Sequence, residues 1–131
     1  YGLEISRLDG PVGAASALKL SYAGMTKGLT ALCATMALGA IEGGVAAALR
    51  AELARSQPAL AAWMDGQVPR MYPKAYRWVA EMEEIAAFLE HDPGGAAIYR
   101  GIARTYEQFA AAQAGDGAAI GKLNEFVKSP A

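Results

Sequence analysis

Small and apolar residues recur at helical spacing along most of the chain, and they predict a succession of helices. Residues 14–41 contain no proline and are rich in Ala, Leu and Met. They predict one continuous helix, longer than the usual three turns, that forms the spine of the domain. Gly43 and Gly44 are expected to end or kink it. The interior face of this helix is expected to carry its large apolar residues, Leu18, Met25, Leu29, Leu32 and Met36.

Two shorter helices are predicted next. The first covers about residues 45–55, with Val45, Leu49 and Leu53 on its buried face. The second begins at Pro58, because proline is favoured in the first helical turn. It is expected to bury Leu60, Trp63 and Met64 and to be closed by Gly66 and Pro69.

The second half of the chain predicts three more helices. The stretch "HDPGG" at residues 91–95 separates the first two. The third is a short helix near the end of the chain. No stretch beyond residue 12 alternates at period two, so the fold class is all-α. The residues expected to face inward are Trp78, Met82, Ile85 and Leu89, then Ile98, Ile102, Tyr106 and Phe109, then Ile120, Leu123 and Val127.

The first twelve residues, "YGLEISRLDGPV", differ from the rest of the chain. Leu3, Ile5 and Leu8 alternate weakly as in a strand, and the alternation stops at Asp9-Gly10-Pro11. The chain also begins at Tyr1 without a methionine. We therefore expect residues 1–12 to be the exit from a preceding domain and residues 13–131 to form an all-α domain.

Composition narrows the class of protein. The 131 residues are 53% hydrophobic, and the net charge is −1 with Lys and Arg scattered along the chain, which argues against nucleic-acid binding. One cysteine (Cys33) and one histidine (His91) allow no internal disulfide and suggest no metal site. The apolar stretch 29–41 is interrupted by threonines and is too short to span a membrane. These features predict a cytoplasmic protein.

Polar residues on the first helix are the main candidates for chemistry. Ser16, Lys19, Ala23, Thr26 and Thr30 follow one another at spacings of three and four, so they share a face, and Lys27 flanks it. One interpretation is a solvated face with lysine stems lying along apolar surface. The other is an active site in which a semi-buried lysine exchanges protons. The narrow polar stripe and its small neighbours favour the active site.

A second polar stripe lies on the helix that contains Trp78. Lys74, Arg77, Glu81 and Glu84 share one face of it. They form either an exposed stripe stabilised by ion pairs such as Arg77–Glu81 or a site where Arg77 or Lys74 binds a carboxylate or phosphate.

Two segments resemble a known family. "GAASALKLSYAGMTKGLTAL" and "KAYRWVAEMEEIA" are similar to the C-terminal helical domain of 6-phosphogluconate dehydrogenase-like, or β-hydroxyacid dehydrogenase-like, proteins, in the branch labelled DUF1932. The resemblance runs from about Gly10 to Phe109. It implies an N-terminal Rossmann domain that binds NAD or NADP, a homodimer whose helical domains pack together, and an active site in the cleft between the two kinds of domain.

The resemblance also implies roles for individual residues. Lys19 takes the position of the general acid/base lysine that acts at the substrate hydroxyl or carbonyl. Relatives place an asparagine one turn later, where this chain has Ala23. The resemblance therefore implies either that the substrate is not an ordinary 3-hydroxy acid or that Ser16, Tyr22, Thr26 or Lys27 takes over the contact. Relatives carry a lysine near the cofactor on a later helix, where this sequence reads "EMEEI", so no cofactor-binding residue is assigned.

Three functions are compatible with these features. The first is the substrate-side and dimerisation domain of an NAD(P)-dependent oxidoreductase acting on a small hydroxy acid, inactive as a fragment, with Arg77 as a further substrate-binding candidate. The second is a helical dimerisation module without catalysis, which the substitution at Ala23 supports. The third is an imine-reducing relative of the same fold, in which the lysine is often replaced, so the presence of Lys19 counts against it.

Overall fold

The described part of the chain folds into six α-helices, of which five pack around the long first one. The computed structural model describes residues 10–128, and within that range it has no strand, so the all-α prediction is confirmed. The strand-like alternation of Leu3, Ile5 and Leu8 lies outside the described residues. In order, the elements are α1 (Ala14–Glu42), α2 (Ala46–Ser56), α3 (Pro58–Met71), a 3₁₀ turn (Tyr72–Lys74), α4 (Ala75–Phe88), α5 (Pro93–Ala114) and α6 (Ala118–Lys128).

Helix α1 is the spine of the domain, as predicted. It contacts each of the other five helices, while α4 and α5 form a closely packed helical hairpin. It ends at the predicted glycine pair, where Gly44 adopts a positive φ of 74°. The largest fully buried side chains, which come from the other helices around it, are Val68, Met71, Met82, Tyr106 and Leu123.

The predicted orientation of α1 is wrong. The five large apolar residues expected inside are exposed, from 37% for Leu18 to 75% for Met25. The face that packs against the other helices is made of small residues, because these allow neighbouring helices to approach the backbone closely. The buried residues of α1 are Ala23, Gly24, Gly28, Thr30, Ala31, Ala34, Ala37 and Ala40.

Two glycines of α1 allow one such close approach. The Tyr99 hydroxyl of α5 donates a hydrogen bond of 2.8 Å to the carbonyl oxygen of Gly24. A Cβ at Gly28 would lie 3.0 Å from the Tyr99 hydroxyl oxygen, and one at Gly24 would lie 3.2 Å from it. The small residues therefore fix where α5 crosses α1.

Three smaller predictions are corrected. Helix α3 continues through Gly66 and Pro69 to Met71, since a proline close to the C-terminal end removes only one backbone hydrogen bond. Ile98 is predicted to face inward but is 55% exposed. The buried stripe of α5 runs through Ile102, Tyr106 and Phe109, and Ile98 lies outside that stripe. Val45 is likewise exposed, just before the start of α2.

Helix α1 is longer than the apolar stretch at residues 29–41. By length and composition alone it could cross a membrane, and no other helix within residues 10–128 could do so. However, 39% of the same window is buried inside the domain. Its contacts with α2 to α6 are those expected of a central helix, so the membrane evidence is weak.

Candidate active site

Two neighbouring clefts lie along the polar face of α1. The first, between α1 and α4, has a volume of about 610 Å³. The second, between α1, α3 and α4, has a volume of about 350 Å³. We call them the first and second clefts. Their shared lining is Ala23, Lys27, Lys74 and Trp78; the first adds Lys19, Leu20, Arg77, Ala80, Glu81 and Glu84, and the second adds Tyr22, Thr26, Thr30, Trp63, Gln67 and Arg70.

The arrangement of elements explains this lining. The spacing of three and four along α1 brings one side of the helix to both clefts. The 3₁₀ turn joins the end of α3 to the start of α4. Lys74 is the last residue of that turn, so its side chain lies where the two helices meet and lines both clefts.

Lys27 forms the wall between the clefts and is tightly held. Its Nζ donates to both carboxylate oxygens of Glu81, at 2.8 and 2.6 Å, and lies 5.0 Å from the centroid of the Trp78 ring. The two side chains are only 15% and 25% exposed. The hydroxyl of Tyr106 donates to the backbone carbonyl of Lys27, and the Tyr106 ring meets Trp78 edge to face at 5.3 Å. These contacts anchor the wall to α4 and α5.

Burial keeps Tyr106 in its donor form. Tyr106 is fully buried, and that burial raises the pKa of its hydroxyl well above the usual value for tyrosine. The proton that bonds to Lys27 is therefore retained at any physiological pH.

The first cleft carries three cationic groups that form no ion pair within residues 10–128, although the carboxylate of Glu84 also lines it. Glu81 pairs with Lys27, across to α1, and not with Arg77 on its own helix. Within residues 10–128, no carboxylate forms an ion pair with Lys19, Lys74 or Arg77. The guanidinium of Arg77 lies over the ring of Tyr76, 5.9 Å from its centroid. The cleft is therefore suited to an anionic ligand, even though the chain as a whole has a net charge of −1.

The predicted site residues fall into three groups. Lys19 is exposed and lines the first cleft together with Arg77. Tyr22 and Thr26 line the second cleft, and Lys27 lines both. Ser16 is exposed and does not contribute to the lining of either cleft.

The hydroxyl groups of α1 are available as acceptors. Thr26 Oγ1 donates to the carbonyl oxygen of Tyr22 at 3.0 Å, and Thr30 Oγ1 donates to that of Thr26 at 2.8 Å. Because each hydroxyl hydrogen is already used, the oxygen can accept a hydrogen bond from a ligand in the second cleft.

Three residues of the second cleft were missed by the sequence analysis. The apolar pattern predicts a core position for Trp63, and no pattern in the sequence indicates Gln67 or Arg70 as site residues. All three lie on α3, whose approach to α1 has no signal in the sequence. Trp63 does pack against the core, but it also lines the cleft.

The side chains present suit acid–base and anion-binding chemistry. Ammonium and guanidinium groups can bind a carboxylate, and a lysine at the rim can exchange a proton with a bound hydroxyl. Within residues 10–128, no three His, Cys, Asp or Glu side chains come together in a group that could hold a metal ion.

Comparison with known protein families shows the family to which the chain belongs. The sequence pattern of the domain of unknown function DUF1932 matches residues 40–109, more than half of the chain. The chain belongs to the DUF1932 family. This family is the C-terminal helical domain of 6-phosphogluconate dehydrogenase-like proteins, so the resemblance drawn from the sequence is confirmed. No curated protein matches the chain. No solved structure matches it either.

The DUF1932 match covers only one side of the clefts. It includes α3 and α4, and so the residues Trp63, Lys74 and Arg77. Most of α1, including Lys19 and Lys27, precedes the matched range. The roles of the α1 residues therefore rest on their motif and on the geometry of the clefts.

Proposed function

We propose that this DUF1932 domain supplies the substrate side of an NAD(P)-dependent oxidoreductase that acts on a small hydroxy acid. The observation that carries the proposal is the first cleft, where Lys19 lies with Lys74 and Arg77, whose cationic groups form no ion pair with the described residues 10–128. The membership in a dehydrogenase-like family supports the same reaction class.

In this proposal each side chain has a separate task. Arg77, with Lys74 beside it, binds the substrate carboxylate, which a guanidinium can hold through two hydrogen bonds. Lys19 exchanges a proton with the substrate hydroxyl or carbonyl as general acid/base. The Lys27–Glu81 pair forms the wall against which the substrate lies, between Arg77 and Lys19. Tyr22 and Thr26 complete the substrate contacts on the side of the second cleft.

The nicotinamide cofactor is assigned to an N-terminal Rossmann domain of the same protein. When bound, NAD or NADP supplies the hydride acceptor or donor. Residues 10–128 contain no glycine-rich turn between a strand and a helix, which is the usual dinucleotide site. The cationic groups of the first cleft fit the anionic substrate. In this proposal the helical domain therefore binds the substrate and the Rossmann domain binds the cofactor. We place the intact enzyme in the cytoplasm.

We also propose that the domain forms a homodimer through α1. Its outward face carries Leu18, Met25, Leu29, Leu32 and Met36, together with Tyr22, and all six side chains are exposed in a single chain. Their spacing of three and four makes a continuous apolar stripe. A second copy of α1 would cover such a stripe with an identical one.

A non-catalytic dimerisation module is the second candidate. The same α1 stripe favours it, and so does Ala23, which stands where relatives have a substrate-binding asparagine. This candidate predicts that Lys19 has no effect on any turnover.

The test is the substitution Lys19→Ala in the full-length protein, assayed with NAD or NADP and a panel of hydroxy acids. We expect kcat to fall by about 10²–10⁴-fold, the usual range for a lost general acid/base. The affinity for the cofactor should be unchanged. Lys122→Ala is the matched control, because Lys122 is an exposed lysine on α6 away from both clefts. Unchanged turnover in the Lys19 variant would contradict the proposal.

A further inference from the structure

The two clefts share one small lining residue. Ala23 lines both of them, together with Trp78, and is almost fully buried. A methyl group occupies little of the space between the clefts. A longer side chain at this position would take up room where the linings of the two clefts adjoin.

The second cleft has the lining of a site for a planar group. Trp63 and Trp78 both line it, and Tyr22 lies on the α1 side. Aromatic side chains in a cleft bind aromatic groups by stacking and edge-to-face contacts. Trp78 is already oriented by Lys27 and Tyr106, so one aromatic surface of the cleft is fixed before a ligand arrives.

Polar groups of the second cleft are arranged around this aromatic surface. Gln67 provides an amide, Thr26 and Thr30 provide acceptor oxygens, and Arg70 provides a guanidinium. No carboxylate contributes to the lining of this cleft. The lining therefore combines three aromatic side chains with six polar or cationic ones, so it can stack on a planar group and also orient that group through hydrogen bonds.

We propose that the second cleft binds an aromatic or similarly planar substituent of the substrate, whose carboxylate lies in the first cleft. The substrate class is then an aryl-substituted hydroxy acid and not a short aliphatic one. This inference rests on the proposed function for the first cleft. It explains Ala23 in physical terms, because the substituent passes between the clefts where a longer side chain would block it.

The experiment compares three probes by titration calorimetry on the full-length protein without cofactor. The probes are 3-phenyllactate, lactate and the neutral amide of 3-phenyllactate. We expect 3-phenyllactate to bind at least about tenfold more tightly than lactate, in keeping with one added aromatic contact and its buried area. The neutral amide should bind more weakly than 3-phenyllactate, because it lacks the charge that the first cleft recognises.

Variants assign the preference to the second cleft. Trp63→Leu keeps apolar volume but removes the planar ring, and it should abolish the preference for 3-phenyllactate while leaving lactate binding unchanged. Ala23→Asn should also weaken 3-phenyllactate selectively. Phe88→Leu is the control, because Phe88 is a partly exposed aromatic residue at the end of α4 outside both clefts. Circular dichroism checks that each variant is folded.

The outcomes separate this inference from the proposed function. Equal affinities for the two acids, or no binding of 3-phenyllactate at millimolar concentration, would overturn the inference. Retention of the preference in folded Trp63→Leu and Ala23→Asn would overturn it as well. If 3-phenyllactate binds as predicted but Lys19→Ala leaves turnover intact, the aromatic site stands and the proposed catalytic role fails.

Discussion

At the scale of single residues, the wall between the clefts depends on a buried tyrosine. Tyr106 donates to the backbone of α1 at Lys27 and packs against Trp78. A second buried tyrosine, Tyr72, has the opposite character. Its hydroxyl oxygen has no hydrogen-bond partner within residues 10–128, and burial raises its pKa to about 12. One hydroxyl therefore stabilises the fold and the other does not.

This contrast gives a matched pair of substitutions. Tyr106→Phe should lower the free energy of unfolding by about 1–2 kcal/mol, because a buried hydrogen bond is lost. Tyr72→Phe should leave it unchanged or raise it by up to about 1 kcal/mol, because an unsatisfied polar group is removed. Urea denaturation followed by circular dichroism measures both. A larger loss of stability for Tyr72→Phe than for Tyr106→Phe would contradict this account.

The ion pair of Lys27 has a structural role and does not leave a cation free for a ligand. Its ammonium is bound by Glu81 and lies on the Trp78 ring, so it is not a free cation waiting for a ligand. A pair that is mostly shielded from solvent is screened less by salt than an exposed one. Within residues 10–128, the cations of the two clefts that form no ion pair are those of Lys19, Arg70, Lys74 and Arg77.

At the scale of elements, α1 has one face of small residues and one face of large apolar residues. Its inner face of Ala, Gly and Thr packs against α3 to α6, and its outer face holds the large apolar residues. An exposed stripe of this length is unusual on a monomer. It is the strongest sign of a partner surface on the described part of the chain.

Disrupting this stripe should dissociate the proposed dimer. We expect the full-length protein to sediment as a dimer in analytical ultracentrifugation. Leu32→Lys combined with Met36→Lys should yield monomers, because two charges would be buried without partners. Ile98→Lys should leave the dimer intact, since Ile98 is also an exposed apolar residue but lies on α5. A monomer before any substitution, or a dimer that survives the double change, would argue against this interface.

The sequence predicted the elements better than their orientation. The bounds of α1 followed from the absence of proline up to Gly43, and the stripe of Met82 and Ile85 identified the inner face of α4. The inner face of α1 could not be read in this way. Large apolar residues usually mark the core, but here the space between helices admits only small side chains, and Leu32 and Met36 face outward.

The candidate site was predictable only in part. The spacing along α1 brought out Lys19, Thr26 and Lys27, and the resemblance assigned Lys19 its role. That Arg77 lies in the same cleft as Lys19 depends on how α4 packs against α1. The apolar periodicity predicts that Trp63 is a core residue, because periodicity alone does not distinguish a buried ring from one that lines a cleft.

At the scale of the whole molecule, charge is unevenly distributed. The chain has a net charge of −1, yet its clefts gather Lys19, Lys27, Arg70, Lys74 and Arg77 around two carboxylates. Clefts lined mainly by one sign of charge raise the local concentration of the opposite ion. Under the proposed function, this arrangement would direct the anionic substrate to α1 and α4.

The groove between α4 and α5 serves as the comparison. It also contains arginines, including Arg104, but Arg104 is paired with Glu83 and Glu107. Arg104 is therefore compensated, whereas Lys19, Lys74 and Arg77 of the first cleft form no ion pair within residues 10–128. An anion should therefore distinguish between the two surfaces of the same domain.

The central claim is that the first cleft receives the carboxylate of a hydroxy acid. Its most direct test is a titration of the isotope-labelled chain with lactate, followed residue by residue by nuclear magnetic resonance. We predict that the largest shifts occur at Lys19, Lys74 and Arg77, and that Arg77→Gln weakens them. Shifts confined to the groove beside Arg104, or no shifts in the first cleft, would contradict the account.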